Sequence, residues 1–381
     1  MSERAKVGLV SLGVAVAAAG AGAALGVAAE RLALGRSLLP HRGEPEETDW
    51  TGLHVPGRYI EADDGTTLYV EVDEVRPRRG GAAAPPEPAP VTVVFSHGYC
   101  LTMDSWYFQR AALRGRYRLV FADQRGHGWS AAGPEGSNTV DQLGSDLGRV
   151  IDAVAPRGPL VLIGHSMGGM TILSLMVHRP DLAGRVTGVG LVSTSAGGLR
   201  ELDLGMAYLG RLVQRFAPGT LRTLNRSPRL VENGRRVVRD IETVFVRRYS
   251  YVTKVSPDLV RFTAQMIAAT SVDVIADYLP TFGRHDKREA LARIGRRPML
   301  VLVGDSDLLT PPGHSRDLVR QVPTAQLVVV PHAGHLVMLE HPEVVTGHLA
   351  DLIGRSGGDL GRARLPSAIE RRRTRRPDGV A

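Results

Sequence analysis

Most of the 381-residue chain alternates short apolar runs with stretches of helical periodicity. Val91–Ser96, Tyr117–Ala122, Leu160–Ile163, Val186–Ser193, Met299–Gly304 and Gln326–Val330 are aliphatic or β-branched runs of strand length. Between them, apolar residues three and four apart predict helices near Ser105–Arg114, over Thr139–Ala155 and over Ser166–His178, with further helices after the last two strands. A strand with one wet face would alternate apolar and polar residues. These runs do not, so the pattern predicts a mostly parallel sheet covered by helices on both faces. Ahead of it, Arg58–Ala62 and Thr67–Val72 flank Asp64-Gly65 and read as a β-hairpin. The rhythm stops between Thr194 and Arg297. There Met206–Phe216, Arg236–Arg248, Asp258–Ala269 and Val272–Leu279 carry helical patterns without a clear strand. A helical cap inserted between two strands of one sheet accounts for this.

The N-terminus changes the picture. Val7–Ala29 runs 23 residues without a charge, and as a helix it would exceed the roughly 30 Å hydrocarbon core of a bilayer. It is expected to be a membrane anchor. Its Ala and Gly content contributes little transfer energy, and basic residues on both sides leave the orientation open. A signal peptide cleaved after Val27-Ala28-Ala29, or a cytoplasmic protein with a packed helix, are the alternatives. The expected division is a hydrophobic segment 1–29, a linker 30–56, a core of 57–193 and 298–355, a cap of 194–297 and a basic tail 356–381. Arg76–Pro90 reads as a Pro/Gly/Ala loop.

Charge adds little. Of the net +8, the tail from Arg355 onward holds +5, with eight Arg against three acidic residues. The folded body is therefore close to neutral, and nucleic acid is not an expected partner. The single cysteine, Cys100, excludes an intrachain disulfide and reads as a small buried residue.

Chemistry enters at Gly164-His165-Ser166-Met167-Gly168, a G-x-S-x-G pattern. In so Gly-rich a chain the pattern alone is weak. Its setting, directly after Leu160–Ile163 and opening a helical stretch, is that of a nucleophile elbow. A tight turn there would strain Ser166, and Gly164 and Gly168 remove the Cβ atoms that would clash. A serine hydroxyl needs a base within hydrogen-bond reach. Asp307 follows the strand Met299–Gly304, where an orienting carboxylate would sit, with Asp305 as its rival. His335 lies in the loop after Gln326–Val330, where small residues let the backbone turn inward, with His332 as its rival. No cluster has metal-ligand spacing, and no cofactor is expected.

Ser96-His97-Gly98-Tyr99, Asp123–Ser130, Gly164–Gly169, Gly304–Asp307 and Ala333-Gly334-His335, in this order, resemble the α/β-hydrolase fold family. Within it the chain is similar to the capped lipase, esterase and cofactor-free haloperoxidase branch with a serine nucleophile. The resemblance covers about Arg58 to Arg355 and implies Asp307 and His335 over their neighbours. It also implies an oxyanion hole from the backbone amides of Tyr99 and Met167. The activity implied is cleavage of carboxylic ester-like bonds through an acyl-enzyme, on a small-molecule acyl ester of moderate size and partly apolar character. Perhydrolysis or carbon–carbon bond hydrolysis by the same triad, and a non-catalytic ligand-binding relative, are the alternatives. The Tyr99 side chain would line the acyl pocket or pack beneath the cap.

Overall fold

The computed structural model describes residues 48–76, 91–199 and 249–358. The hydrophobic segment 1–29, the first part of the linker, the loop after Arg76, the two helical patterns within 200–248 and the tail beyond 358 lie outside the described residues. Eight strands are described: β1 (Arg58–Glu61), β2 (Thr67–Asp73), β3 (Thr92–Ser96), β4 (Arg118–Ala122), β5 (Leu160–His165), β6 (Val186–Val192), β7 (Met299–Gly304) and β8 (Gln326–Val330). They form one sheet in the order β1-β2-β4-β3-β5-β6-β7-β8. The β1–β2 hairpin and its junction with β4 are antiparallel, and all later pairs are parallel. Every residue of β3, β5 and β7 is buried, as their unbroken apolar runs require.

The described helices are α1 (Tyr107–Leu113), α2 (Val140–Val154), α3 (Met167–His178), α4 (Pro180–Ala183), α5 (Pro257–Ala269), α6 (Val272–Phe282), α7 (Glu289–Ile294), α8 (Pro312–Gln321), α9 (Val337–Glu340) and α10 (Pro342–Ile353). The element predicted near Ser105–Arg114 is a 3-10 turn, Met103–Trp106, followed by α1. Apolar faces of α1, α5 and α10 pack against one side of the sheet, through residues such as Leu113, Phe262 and Leu349. Those of α2, α3, α7 and α8 pack against the other, through Ile151, Leu173, Leu291 and Leu318. Side-chain caps fix where several helices begin. Thr139 accepts from the Gln142 amide at α2, Ser256 from Leu259 at α5, and Ser271 from Val274 at α6. No single helix among the described residues is long and apolar enough to cross a membrane.

Residues 48–56 are not a free linker. The Thr48 amide and Trp50 Nε1 donate to Asp258 at the start of α5, at 3.3 and 3.0 Å. The Trp50 ring stacks on Phe262 with centroids 4.4 Å apart, and the Val55 amide donates to buried Glu71. A short polar stretch with one Trp gives no sequence period. The docking comes from aromatic area that only the folded partners offer.

Arg125, fully buried, joins three parts of the core. Its Nε and Nη2 donate to Asp146 of α2 at 2.5 and 2.7 Å, and its Nη1 donates to Asp64 in the β1–β2 turn at 2.8 Å. Removing the guanidinium would strand the Asp146 carboxylate in the interior. Arg125→Ala is expected to cost about 3–5 kcal/mol in urea unfolding. A loss below about 1 kcal/mol would show that these ions are effectively solvated.

Candidate active site

A parallel sheet delivers the loops after its strands to one edge, where open α/β sheets place ligands. That edge collects the ends of β3, β5, β6, β7 and β8. Ser166 stands between β5 and α3 with φ 51° and ψ −118°. A non-glycine residue there carries on the order of 1–3 kcal/mol of strain. The surroundings enforce it: the Ser166 amide donates to Val192 O at 2.9 Å, and Thr194 Oγ1 donates to Ser166 O at 2.6 Å. A Cβ on Gly168 would stand 2.1 Å from Ser96 O and 2.6 Å from His97 O. The glycine therefore lets the start of α3 press directly on the loop after β3.

The loop after β3 is fixed from below. His97 Nε2 accepts the Gln124 amide at 2.9 Å, so its Nδ1–H faces Gly98 O at 2.8 Å. The Gln124 side chain donates to His97 O and accepts from Thr171 Oγ1, both at 2.6 Å. Tyr99 is thereby carried to the side of the elbow. Its hydroxyl donates to Ile275 O of α6 at 2.5 Å, and its ring meets Phe282 edge-on at 5.1 Å. Met167, the first residue of α3, is buried and packs with Val274 and Tyr278 of α6. Its amide has no acceptor within the helix. Tyr99 packs beneath α6, the second of the two roles its side chain could take.

Asp307 and His335 meet. His335 Nδ1 lies 3.0 and 2.9 Å from the two Asp307 carboxylate oxygens, and both residues are buried. The Leu309 and Thr310 amides and Thr310 Oγ1 each donate to Asp307 at 2.9 Å. Burial pushes the Asp307 carboxyl up. The His335 ring and the bonds from His335 and Thr310 outweigh that, and the group sits below the usual carboxylate range. The His335 carbonyl accepts from His165 Nε2 at 3.0 Å, and the two rings lie 4.8 Å apart. His165 immediately precedes Ser166. The rivals are elsewhere. Asp305 is exposed and takes the Ser306 hydroxyl, and His332 is exposed with φ 54°.

Thr310, His165 and Gln124 were not legible as site residues, because each acts through a partner distant in sequence or through the backbone. Only Thr310, three residues after Asp307 as in an Asx-type turn, left a local signal. Cys100 is buried, and burial raises its thiol to about 12, so it is inert as a nucleophile. Among the described residues no group of three or more His, Cys, Asp and Glu is arranged to hold a metal ion.

Residues 91–342 match the family model described as alpha/beta hydrolase fold. The chain is 28% identical over 255 residues to a dihydrolipoyllysine-residue acetyltransferase component of an acetoin cleaving system from Pseudomonas putida, covering 66% of this chain and 60% of that protein. It therefore spans less than two thirds of that relative. An sn-1-specific diacylglycerol lipase of Mus musculus is 26% identical over 270 residues, covering 68% of this chain and 80% of the lipase. In fold, a thermophilic esterase from Thermogutta terrifontis superposes with a TM-score of 0.59 at 23% identity, covering 79% of this chain and 99% of the esterase.

Proposed function

The chain belongs to the α/β-hydrolase fold family, and from that premise we propose that it is a serine hydrolase of carboxylic ester-like bonds. Ser166 is the nucleophile, His335 the general base, and Asp307 the group that orients the base. One observation carries the reading. The buried His335 ring is gripped at Nδ1 by both oxygens of Asp307, while its backbone and ring rest against the residue preceding the strained elbow serine. That grip selects the tautomer with the proton on Nδ1 and leaves Nε2 as the basic nitrogen.

The chemistry follows in two steps. His335 Nε2 takes the hydroxyl proton as Ser166 Oγ bonds to the substrate carbonyl carbon, and the carbonyl oxygen becomes an oxyanion. The Tyr99 and Met167 amides stabilise it, each donor being worth about 2.7–4 kcal/mol in comparable sites. The tetrahedral species then expels the alcohol, which takes the proton from His335. Water, deprotonated by His335, attacks the acyl carbon, and the second tetrahedral species breaks its bond to Ser166 Oγ, which takes that proton back from His335 as the acid is released. In this reading α6, packed on Tyr99 and Met167, belongs to a cap that roofs the acyl site.

Ester cleavage agrees with the diacylglycerol lipase relative. A fluorophosphonate probe tests the proposal directly. The wild-type chain is expected to be labelled stoichiometrically and Ser166→Ala not at all, in parallel with hydrolysis of p-nitrophenyl esters. Folded wild-type protein that takes up no probe would remove the serine hydrolase reading.

A further inference from the structure

The base sits on a loop, and loops do not hold a side chain to within a few tenths of an ångström unless something fixes them. Here the backbone is tied at three consecutive residues. The Gly334 amide donates to Glu340 Oε2 at 2.6 Å, the His335 carbonyl accepts from His165, and the Leu336 amide donates to Ser250 O at 3.0 Å. Two of these three ties lead to the same place, the segment 250–253 that enters α5. The other Glu340 oxygen, Oε1, accepts the Val252 amide and Thr253 Oγ1, both at 2.7 Å, and the Thr253 amide as well. Contact between the two segments is close. A Cβ on Gly334 would stand 2.6 Å from Ser250 O. Tyr251 continues the path, with its hydroxyl 2.5 Å from Thr263 Oγ1 on α5.

We infer that Glu340 is a positioning residue for the base: its carboxylate latches the His335 loop onto the segment inserted between β6 and β7. The inference rests on the proposed role of His335. Glu340 is only 9% exposed, and it faces four donors with two oxygens. An ionised carboxylate is acceptor-only and satisfies all four. A glutamine of the same size presents an NH2 group to at least one N–H or O–H, which loses a bond and sets donor against donor. The latch therefore depends on the acid and not on the shape of the side chain.

The test separates positioning from bulk stability by counting active sites. Wild type, Glu340→Gln and Thr253→Val are titrated to completion with the fluorophosphonate probe, and kcat and KM for p-nitrophenyl acetate are expressed per labelled site. Glu340→Gln is expected to lose kcat by about 10²-fold with KM within about twofold, the signature of a displaced base. Thr253→Val, which deletes one donor at the far end of the latch, is expected to lose kcat on the order of fivefold, with KM again unchanged. A merely structural carboxylate would lower the melting temperature and the labelled fraction, yet leave kcat per labelled site at the wild-type value. That result in Glu340→Gln overturns the inference. If Glu340→Gln does not fold, an unchanged kcat per site in Thr253→Val overturns it instead. Absence of labelling in the wild type points elsewhere, to failure of the nucleophile assignment.

Discussion

His335→Ala is expected to lower kcat for a p-nitrophenyl ester on the order of 10⁵- to 10⁶-fold, while His332→Ala stays within about tenfold of wild type. The two imidazoles are three positions apart on one loop, but their surroundings differ. His335 is buried with Nδ1 on Asp307, whereas His332 is exposed and its carbonyl accepts from His341 Nε2 at 3.1 Å. In the proposed mechanism, losing the imidazole leaves Ser166 without a base and the leaving alcohol without an acid, so that only oxyanion stabilisation and binding would remain. Asp307→Asn should lower kcat by about 10⁴-fold, because an amide NH2 at that place favours the wrong tautomer of His335. Steady-state kinetics per titrated site decide the matter. A large loss in His332→Ala, or near-normal turnover in His335→Ala, would reverse the assignment of the base.

Stability should fall as pH drops below about 6.5, above the range in which ordinary carboxylates titrate. Four histidines are buried in their neutral form. Burial lowers His97 and His165 to about 3, and His127 and His285 to about 4. Their bonds show why a second proton is unwelcome. His97 Nε2 and His127 Nε2 each accept a backbone amide, from Gln124 and Cys100, and would lose it on protonation. In the unfolded chain each ring titrates near 6.5. Between the two values the unfolded state binds more protons, so stability rises with pH and is lost as pH falls, at about 1.4 kcal/mol per pH unit for each ring. Asp123 works in the opposite direction, since burial raises it to about 7 and the folded state keeps its proton longer. Roughly three protons net remain, or about 4 kcal/mol per pH unit between pH 6 and 4.5. A domain at the low end of the usual range of about 5–15 kcal/mol would be near unfolding by about pH 5, and one at the high end would lose about a third of its stability. Asp307, depressed in the folded state, adds a loss of the same sign below about pH 4. Urea unfolding at half-unit steps from pH 7.5 to 4.5 measures the slope. A flat profile would mean that these rings are hydrated or accept protons without penalty.

Half of the site could be read from local patterns and half could not, and the division has a physical cause. The strands were legible because a sheet buried on both faces demands unbroken apolar runs, as in Leu160–Ile163 and Met299–Gly304. The elbow was legible because a strained serine between a strand and a helix needs small neighbours, which Gly164 and Gly168 supply. The junction of the β1–β2 hairpin with β4 carries no such mark, since pairing between strands remote in sequence depends on which edges remain open. The strap at Trp50, the Arg125 network and the Glu340 latch are alike in this respect. Each is a polar or aromatic side chain of common type whose partners lie far away along the chain.

Sequence by itself determined the order of elements, the elbow at Ser166, and the two loops that carry the candidate acid and base, because these follow from period and spacing. Tertiary structure alone decided that Asp307 and His335 touch while Asp305 and His332 face outward, and that Tyr99 packs under α6. Neighbouring residues on a loop share one local sequence, so only the packing of remote segments determines which of them turns inward.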